Sequence, residues 1–244
     1  MGIHANSSRR AGRAFPSAAP GSSSAPGRLP QHLFVVYSCR AYEGSRVKWQ
    51  ARTWPRRLPA GATLLTTTGA GDGRIDDEGV LRLDCPDDYN GLIDKTQALF
   101  DWFMEERTEE FLVKVDDDVW LSPEALERIV AARGDYLGGY YSSYAGGPLY
   151  LVSRSLLARL GRLRSFIVDA NVAEDVAVGR AAAAAGCRGR PLGFEEIKWY
   201  DHRKDTLKGD HAWHMAFAFT RVHHAQLMRY CERNHEDLRQ RTTR

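Results

Sequence analysis

Three consecutive aspartates, Asp116, Asp117 and Asp118, are the strongest chemical signal in the sequence. They directly follow residues 111–115, a mostly apolar run with the composition of a buried strand. Adjacent carboxylates repel one another unless a cation or hydrogen-bond donors offset their charge, and carboxylate oxygens are the ligands that Mg²⁺ and Mn²⁺ prefer. The triplet therefore predicts a divalent metal site, with an acidic loop that caps the next helix as the alternative.

A second acidic pair, Glu174 and Asp175, stands at the start of an Ala-rich segment. The segment predicts a helix over residues 174–185, which Gly186 can end. Acidic side chains in a first turn complement the positive end of the helix dipole. Taken alone, the pair indicates a helix start and assigns no chemistry.

Histidines are concentrated in the C-terminal part of the chain, at His202, His211, His214, His223 and His224. A neutral imidazole is a common metal ligand, so one of these side chains can complete a site with the aspartates. A structural or solvent-exposed role is the alternative for each of them.

Hydrophobic patterning predicts the elements that position these groups. Strands are predicted at residues 33–38, 62–68, 80–83 and 111–115, with strands or extended loops at 136–144 and 147–152. Helices are predicted at residues 92–106, 155–164 and 174–185, and another helix begins after Ser122 as its N-cap. Because strands and helices alternate, we expect an α/β fold with a mainly parallel central sheet flanked by helices. Ligands of such sheets bind beyond the carboxyl ends of the strands, where the triplet lies.

The length of 244 residues suits one large domain. Residues 1–30 consist mainly of Ala, Ser, Gly and Pro, with four arginines and no acidic residue. We expect a disordered tail there, with an organelle transit peptide as the alternative, and a single domain over residues 31–244. Residues 31–244 contain 30 basic and 31 acidic residues, so the net charge of +3 comes from the four arginines of the tail. This balance argues against a nucleic-acid partner.

No apolar run approaches the roughly 20 residues that cross a bilayer, so we expect neither a transmembrane segment nor a secretory signal in this chain. The four cysteines, Cys39, Cys85, Cys187 and Cys231, form no C-x-x-C pair, which argues against a zinc knuckle. Their even number allows disulfides in a secretory compartment, and buried free thiols are the alternative.

The order of four sequence blocks is more specific than any single feature. The blocks are DYNGLIDKT at residues 88–96, FLVKVDDDVW at 111–120, YSSYAGGPLYLVS at 141–153 and EDV at 174–176. In this order they resemble the D-x-Y-x-N-L-T-x-K-T, K-V-D-D-D-V, Y-P-x-Y-x-x-G-x-x-Y-v-x-S and E-D-V blocks of the β-1,3-galactosyltransferase family. That family includes the β-1,3-N-acetylglucosaminyltransferases and, more distantly, Fringe. RVKWQARTW at residues 46–54 also resembles its R…I-R-x-T-W segment, so the resemblance covers about residues 33–230.

The resemblance implies a GT-A fold and an inverting, metal-dependent hexosyltransferase. Such an enzyme transfers galactose or N-acetylglucosamine from a UDP-sugar to a hydroxyl of a glycan or glycoprotein acceptor, here through a β-1,3 linkage. The resemblance also implies Mn²⁺ or Mg²⁺ as the cofactor and the Golgi lumen as the location, although the membrane anchor of the relatives is not visible in this chain.

Matching positions imply roles for individual residues. Asp116 and Asp118 of the D-x-D motif become metal ligands, and Asp175 of the E-D-V block becomes the general base. The family has a metal-binding Val-His before its last helix, which makes His223 a further ligand, with His224 as the alternate.

Donor contacts are implied for five residues, namely Ser38, Arg52, Lys95, Asp116 and Asp117. The family arginine falls on Ala51, so Arg52, one place later, is its expected substitute. Gly91 and Ile93 replace the Asn and Thr of the N-L-T run, and Ser142 replaces a proline. These departures leave the choice of donor and acceptor open.

Two other classes of protein remain open at this level. A non-catalytic sugar-binding derivative of the fold is expected to have lost metal binding, yet Asp116, Asp118 and Asp175 are all present. A metal-dependent phosphoesterase would use the same acidic cluster to hydrolyse a nucleotide without an acceptor, and it would need further carboxylates for a second ion.

Overall fold

The structure is a computed structural model that describes residues 32–138, 143–168, 172–192, 195–197, 200–201, 206–207 and 217–219, together with Glu232. The tail predicted over residues 1–30 lies outside the described residues and stays a prediction. The strands are β1 (His32–Tyr37), β2 (Ala62–Thr68), β3 (Arg74–Ile75), β4 (Val80–Arg82), β5 (Phe111–Asp116), β6 (Trp120–Leu121), β7 (Tyr136–Gly138), β8 (Leu149–Ser153), β9 (Arg190–Pro191), β10 (Glu195–Ile197), β11 (Tyr200–Asp201), β12 (Thr206–Leu207) and β13 (Phe217–Phe219).

Helices alternate with these strands along the chain. They are α1 (Arg40–Tyr42), α2 (Lys48–Gln50), α3 (Leu92–Glu106), α4 (Pro123–Ala131), α5 (Arg154–Leu157) and α6 (Glu174–Ala184). A π-helical turn at Glu43–Val47 joins α1 to α2, and 3₁₀ turns lie at Trp54–Arg57 and Leu163–Phe166.

Eight strands form the main sheet, in the order β3-β4-β2-β1-β5-β8-β7-β9. Strands β4, β2, β1 and β5 run parallel, and His32 of β1 lies opposite Ala62 of β2 and Phe111 of β5. Strand β8 is antiparallel to both β5 and β7, so the sheet is mixed and mostly parallel. Two smaller sheets have the orders β10-β13-β6 and β11-β12. The predicted α/β fold class is confirmed.

Strand β1 is buried along its whole length because both faces of the sheet are covered. Phe34 and Val36 face a core that also contains Trp54 and the apolar side of α4. Leu33 and Val35 face a second core that is built on α3 and α6. A strand covered on both faces has a continuous apolar sequence, which is the pattern that predicted it.

The local signals for the longer helices are confirmed. Helix α3 has the predicted bounds, and the N-cap Oγ of Ser122 accepts a hydrogen bond from the Ala125 N–H at 3.1 Å. Helix α6 ends at Ala184, one residue before its predicted end, and Gly186 follows with φ of +75°. That positive φ is the left-handed conformation with which a glycine ends a helix.

The helix predicted over residues 155–164 is wrong beyond its first turn. Ser153 caps the short helix α5, since its Oγ accepts a hydrogen bond from the Leu156 N–H at 3.0 Å. The chain then leaves the helix and forms the 3₁₀ turn Leu163–Phe166. Gly161 lies in this break, and glycine destabilises a helix by about 1 kcal/mol relative to alanine. Two short turns therefore bury the leucines whose spacing predicted one helix.

No helix within the described ranges is long and apolar enough to cross a membrane. Cys39, Cys85 and Cys187 are free thiols, and Cys231 lies outside the described residues. Burial raises the pKa of the Cys85 thiol to about 11, so this thiol stays protonated at neutral pH. The cysteines that the structure describes therefore follow the free-thiol alternative.

Candidate active site

A cleft of about 560 Å³ opens beyond the carboxyl ends of β1 and β5. Six of the residues predicted for the site line it, namely Ser38, Lys95, Asp116, Asp117, Asp118 and Asp175. The parallel strands β1 and β5 end at the same edge of the sheet, and the first turn of α6 reaches that edge. Groups that are far apart in sequence therefore meet in one cavity, as expected for this class of sheet.

The backbone of the aspartate triplet makes a tight turn at the end of β5. The Val119 N–H donates to the Asp116 carbonyl at 3.2 Å, and the Asp117 N–H donates to the Tyr37 carbonyl at 3.2 Å. The side chains of Asp116 and Asp118 remain 31% and 13% exposed, whereas that of Asp117 is 7% exposed. Asp116 and Asp118 are thus the two carboxylates of the triplet that are most open to a ligand.

The Asp117 carboxylate is engaged within the protein. Ser38 Oγ donates to its Oδ2 at 2.6 Å, and the Arg46 guanidinium donates to its Oδ1 at 3.3 Å. The middle aspartate therefore links the turn to the end of β1 and to the π-helical segment.

The Asp118 carboxylate lies in a region of concentrated negative charge. Burial, followed by the charges of Asp116 and Asp117, raises the pKa of Asp118 to about 6. The Arg46 guanidinium lies 4.0 Å from Asp118 Oδ2. A bound cation would relieve this repulsion, so the donor chemistry of Asp116 and Asp118 fits a hard divalent ion.

Lys114 is buried beneath the cleft and joins several of its groups. Its Nζ donates to Asp116 Oδ1 and to the Gly147 carbonyl, both at 2.6 Å, and it lies 3.8 Å from Glu174 Oε2. Burial acts to lower the pKa of Lys114, but the carboxylates of Asp116 and Glu174 outweigh it and raise the pKa. The side chain is therefore a buried ammonium that joins β5 to the start of α6.

Glu174 and Asp175 are adjacent in sequence but point to different environments. Glu174 Oε1 accepts hydrogen bonds from Thr96 Oγ1 at 3.0 Å and from the Tyr150 hydroxyl at 2.5 Å. Burial raises the pKa of Glu174 above its ordinary value, although Lys114 opposes this shift. Glu174 therefore belongs to an internal polar network, a role that sequence reasoning did not assign.

Asp175 lines the cleft, and its carboxylate is oriented by backbone donors. The Gly147 N–H donates to Oδ2 at 2.8 Å and the Val176 N–H donates to Oδ1 at 2.8 Å. The predicted base is thus held at the cavity wall by the loop before β8.

Lys95 lies in the cleft wall, but its ammonium is engaged by protein groups. The Nζ donates to the Ser38 carbonyl at 2.7 Å and to Asp87 Oδ1 at 2.6 Å. Asp87 also accepts hydrogen bonds from the Gly69 N–H at 2.6 Å and the Arg40 N–H at 2.8 Å. Lys95 therefore fixes the backbone where β1 ends, and this contact positions Ser38.

The structure does not bring Arg52 into this cleft. Its guanidinium lies 4.5 Å from the centre of the Trp49 ring, on an exposed part of the chain. Arg46 lines the cleft instead and stacks 3.7 Å from the centre of the Tyr42 ring. The family resemblance implied Arg52 because it directly follows Ala51, the position of the family arginine.

A π-helical turn precedes α2 and carries Arg46. Glu43–Val47 widens the helix, and an ion pair between Glu43 and Arg82 anchors it to β4. π-helical turns are rare and are frequent at functional sites. Of the two arginines in the segment at residues 46–54, Arg46 lines the cleft, and the role predicted for Arg52 stays a prediction.

His223, the remaining predicted ligand, lies outside the described residues, as does His224. Phe219, four residues before His223, pairs with Trp120, two residues after Asp118. Glu232, which follows His223 in sequence, accepts a hydrogen bond from Trp120 Nε1 at 3.0 Å. Residues before and after His223 therefore contact Trp120, which directly follows the aspartate turn.

Within the described part of the chain, no group of three His, Cys, Asp or Glu side chains is arranged to hold a metal ion. All three aspartates of the triplet line the cleft, and the two with the more exposed carboxylates are Asp116 and Asp118. These two match magnesium-type sites, which commonly use one or two carboxylates and take further ligands from phosphates and water.

Residues 76–136 match the family model described as galactosyltransferase. The matched segment contains the block at residues 88–96 and the whole aspartate triplet. The resemblance to galactosyltransferase-family glycosyltransferases is thereby confirmed. No curated protein sequence matches the chain significantly.

Several solved structures are similar to the chain to different degrees. One is a glycosyltransferase involved in glycosylation of the major capsid of PBCV-1, with a TM-score of 0.51 and 11% identity over 83% of this chain and 100% of that chain. Another is the mannosyltransferase PcManGT from Pyrobaculum calidifontis in complex with GDP-Man and Mn²⁺, with a TM-score of 0.43 and 14% identity over 68% of this chain and 55% of that chain. A third is the glycosyltransferase GlyE of Streptococcus pneumoniae TIGR4, with a TM-score of 0.42 and 11% identity over 67% of this chain and 45% of that chain.

The chain spans about half the length of the last two structures. At 11% identity, the first similarity shows the fold alone. That fold is the α/β architecture of GT-A type expected from the sequence.

Proposed function

We propose that this chain, which carries a galactosyltransferase-family segment, is an inverting, metal-dependent hexosyltransferase that uses a UDP-sugar. The observation that carries the proposal is the convergence of Asp116, Asp118 and Asp175 on one cleft beyond the carboxyl ends of parallel strands. Direct transfer of a sugar requires two sets of groups. One is a set of carboxylates that hold the metal ion, and the other is a separate, oriented carboxylate that accepts the proton. The cavity volume of about 560 Å³ is in the range of small-molecule sites.

We assign Asp116 and Asp118 as the carboxylates that hold Mn²⁺ or Mg²⁺, with His223 as a further ligand. The pairing of Phe219 with Trp120 supports His223, because it brings nearby chain alongside the turn. When bound, the ion supplies positive charge that neutralises the diphosphate leaving group.

We assign contact with the donor diphosphate to Arg46. Its planar guanidinium lines the cleft beside the triplet, and guanidinium groups bind phosphate oxygens through paired hydrogen bonds. Ser38 lies next to it, since both donate to Asp117. We assign Lys95 to positioning Ser38 rather than to direct donor contact, because its ammonium is already engaged by Asp87 and the Ser38 carbonyl.

Asp175 serves as the general base in this proposal. Its carboxylate takes the proton from the acceptor hydroxyl as the hydroxyl oxygen bonds to the anomeric carbon of the donor. The bond from that carbon to the diphosphate oxygen breaks on the opposite face, and its electron pair leaves with UDP. Attack opposite the leaving group inverts the anomeric configuration. The backbone contacts from Gly147 and Val176 hold the base in place for this step.

The finer identity of the reaction rests on the family resemblance. We propose galactose or N-acetylglucosamine as the transferred sugar, a glycan or glycoprotein as the acceptor, and a β-1,3 linkage in the product. We propose the Golgi lumen as the compartment, which imaging of the tagged full-length chain together with a Golgi marker tests directly.

A transfer assay with UDP-galactose and UDP-N-acetylglucosamine tests the proposal on the full chain. We expect transfer to a β-linked glycan acceptor in the presence of Mn²⁺, and proton NMR of the product shows the anomeric configuration. We expect Asp175→Asn to lower kcat by about 10²–10⁴-fold, the range for loss of a general base, while UDP affinity is retained. Retention of full turnover by Asp175→Asn would refute the base assignment. Nucleotide hydrolysis without transfer would point to the phosphoesterase class instead.

A further inference from the structure

Gln50 lies beneath the aspartate turn and contacts both of its ends. The side chain is fully buried, and its Nε2 donates to the Asp116 carbonyl at 2.8 Å and to the Val119 carbonyl at 2.7 Å. These two carbonyls belong to the residues that flank the turn, with Asp117 and Asp118 between them. One amide group thus spans the segment that carries the cleft carboxylates.

The orientation of the Gln50 amide is determined by its partners. Both partners are carbonyl oxygens, so the NH₂ group must face them and the Oε1 must point away. Among the residues that the structure describes, Oε1 has no hydrogen-bond partner. A buried oxygen without a partner is destabilising, so an amide is a costly choice at this position for fold stability alone.

Each of the two carbonyls also has another donor. The Val119 N–H donates to the Asp116 carbonyl at 3.2 Å, and the Trp54 Nε1 donates to the Val119 carbonyl at 3.0 Å. Replacement of Gln50 by an apolar residue of similar shape therefore leaves neither carbonyl without a partner. The distinctive effect of the amide is that it ties both ends of the turn to one point.

Gln50 lies on the same segment of the chain as Arg46. Gln50 ends α2, directly after the π-helical turn in which Arg46 lies, and Arg46 donates to Asp117 Oδ1 at 3.3 Å. The Gln50 amide therefore fixes the distance between the Arg46 guanidinium and the carboxylates of the turn through the backbone. The contact between Arg46 and Asp117 fixes the same distance within the cleft.

We propose that Gln50 is a positioning residue that sets the geometry of the donor site. By holding the carbonyls of Asp116 and Val119 together, it keeps the carboxylates of Asp116 and Asp118 directed into the cleft and in register with Arg46. The inference rests on the proposed function, since it concerns how the metal and the diphosphate are held.

The test compares Gln50→Met with a matched substitution, Gln97→Met, in the full-length protein. Met has nearly the shape of Gln but donates no hydrogen bond. Gln97 uses its amide to contact Asp101 at 2.9 Å and the Leu163 N–H at 2.9 Å, away from the cleft. Titration calorimetry measures the affinity for Mn²⁺ and for UDP with Mn²⁺, and thermal unfolding measures the change in Tm.

We expect Gln50→Met to weaken Mn²⁺-dependent UDP binding by at least ten-fold, with a change in Tm close to that of Gln97→Met. We expect the KM for the UDP-sugar to rise while the KM for the acceptor stays unchanged, because Asp175 is held by a different loop. A loss of stability alone would leave the binding constants of the folded fraction unchanged. It would also leave the KM for the UDP-sugar and the KM for the acceptor unchanged.

Gln50→Asn provides a second variant if Gln50→Met does not fold. It keeps the amide but shortens the side chain by one methylene, so it reaches at most one of the two carbonyls. We again expect at least a several-fold loss of Mn²⁺-dependent UDP affinity. Wild-type affinity in either folded variant overturns the inference. A wild-type chain that does not bind UDP overturns the proposed function and this inference with it.

Discussion

The Lys114 ammonium lies 3.8 Å from the Glu174 carboxylate, and the two side chains are 3% and 6% exposed. Each residue is close in sequence to a carboxylate that lines the cleft, since Asp116 follows Lys114 by two positions and Asp175 follows Glu174 directly. The buried pair thus joins β5, which ends at Asp116, to α6, whose first turn contains Asp175, the proposed base.

Removal of one partner from this pair is expected to destabilise the fold. Lys114→Met leaves the Glu174 carboxylate buried beside its hydroxyl partners without a compensating cation, and such a loss typically costs about 3–5 kcal/mol. Urea denaturation followed by circular dichroism measures the free energy of unfolding.

The double variant Lys114→Met/Glu174→Gln serves as the control. Gln at position 174 is neutral and still accepts hydrogen bonds from Thr96 and Tyr150, so we expect it to recover the part of the loss that comes from Glu174. The part that comes from the contact of Lys114 with Asp116 remains. If Lys114→Met costs less than about 1 kcal/mol, or the double variant is no more stable than the single one, the pair does not hold the two elements together.

Arg46 and Arg52 form a matched pair of substitutions for donor binding. Arg46→Ala removes a guanidinium from the cleft, and loss of a hydrogen bond to a charged group costs about 1.5–3 kcal/mol, or roughly ten- to a hundred-fold in the Kd for UDP. Arg52→Ala removes an arginine that stacks on Trp49 outside the cleft, so we expect UDP affinity to be unchanged. Calorimetric titration with UDP and Mn²⁺ distinguishes the two, and a larger loss in Arg52→Ala would restore the original assignment.

Acid stability is expected to depend on Glu109, which lies just before β5. Its carboxylate accepts hydrogen bonds from Arg107 Nε at 3.1 Å, Thr63 Oγ1 at 2.9 Å and the Thr108 N–H at 3.2 Å. Burial acts to raise the pKa of Glu109, but the contacts with Arg107, together with those from the backbone and Thr63, outweigh it and hold the pKa at about 2. Since the folded pKa is below the unfolded one, the carboxylate stabilises the fold above about pH 4.5.

This contribution is lost as the pH falls from about 4.5 towards 2, because the unfolded state takes up its proton first. We expect it to be about 2 kcal/mol, less than the full linkage value because Arg107 is partly exposed to solvent. Unfolding free energies of the wild type and Glu109→Gln, measured between pH 7 and pH 3, should therefore converge on acidification. Parallel curves over this range would contradict the assigned pKa.

The sequence predicted the parts of the fold that have strong local periodicity. Strand β1 is a continuous apolar run because both its faces are covered, and α3 shows its buried face at helical spacing over four turns. The aspartate triplet was predicted at the end of a strand. Because ligands of such sheets bind beyond the carboxyl ends of the strands, the triplet was then expected in a cleft. These inferences need no knowledge of contacts between distant residues.

Other parts of the site depend on contacts that no local pattern records. Arg46 reaches the cleft through a π-helical turn, and Gln50 meets the aspartate turn from a segment that is 66 positions earlier than Asp116. The buried position of Lys114 could be predicted from its strand, but its pairing with Glu174 could not, because the partners are on different elements. The break at Gly161 likewise shows that apolar spacing records burial rather than helix continuity.

Metal-dependent binding of UDP is the most direct test of the proposed donor site. Titration calorimetry on the full chain compares UDP binding with Mn²⁺ and with EDTA, for the wild type, Asp118→Asn and Asp72→Asn. Asp72 is 69% exposed and serves as a carboxylate control away from the cleft. We predict binding that is at least ten-fold tighter with Mn²⁺ in the wild type and in Asp72→Asn, and loss of that difference in Asp118→Asn. Equal affinity with Mn²⁺ and EDTA in the wild type, or an unaltered difference in Asp118→Asn, would contradict the assignment of the aspartate triplet as a metal and donor site.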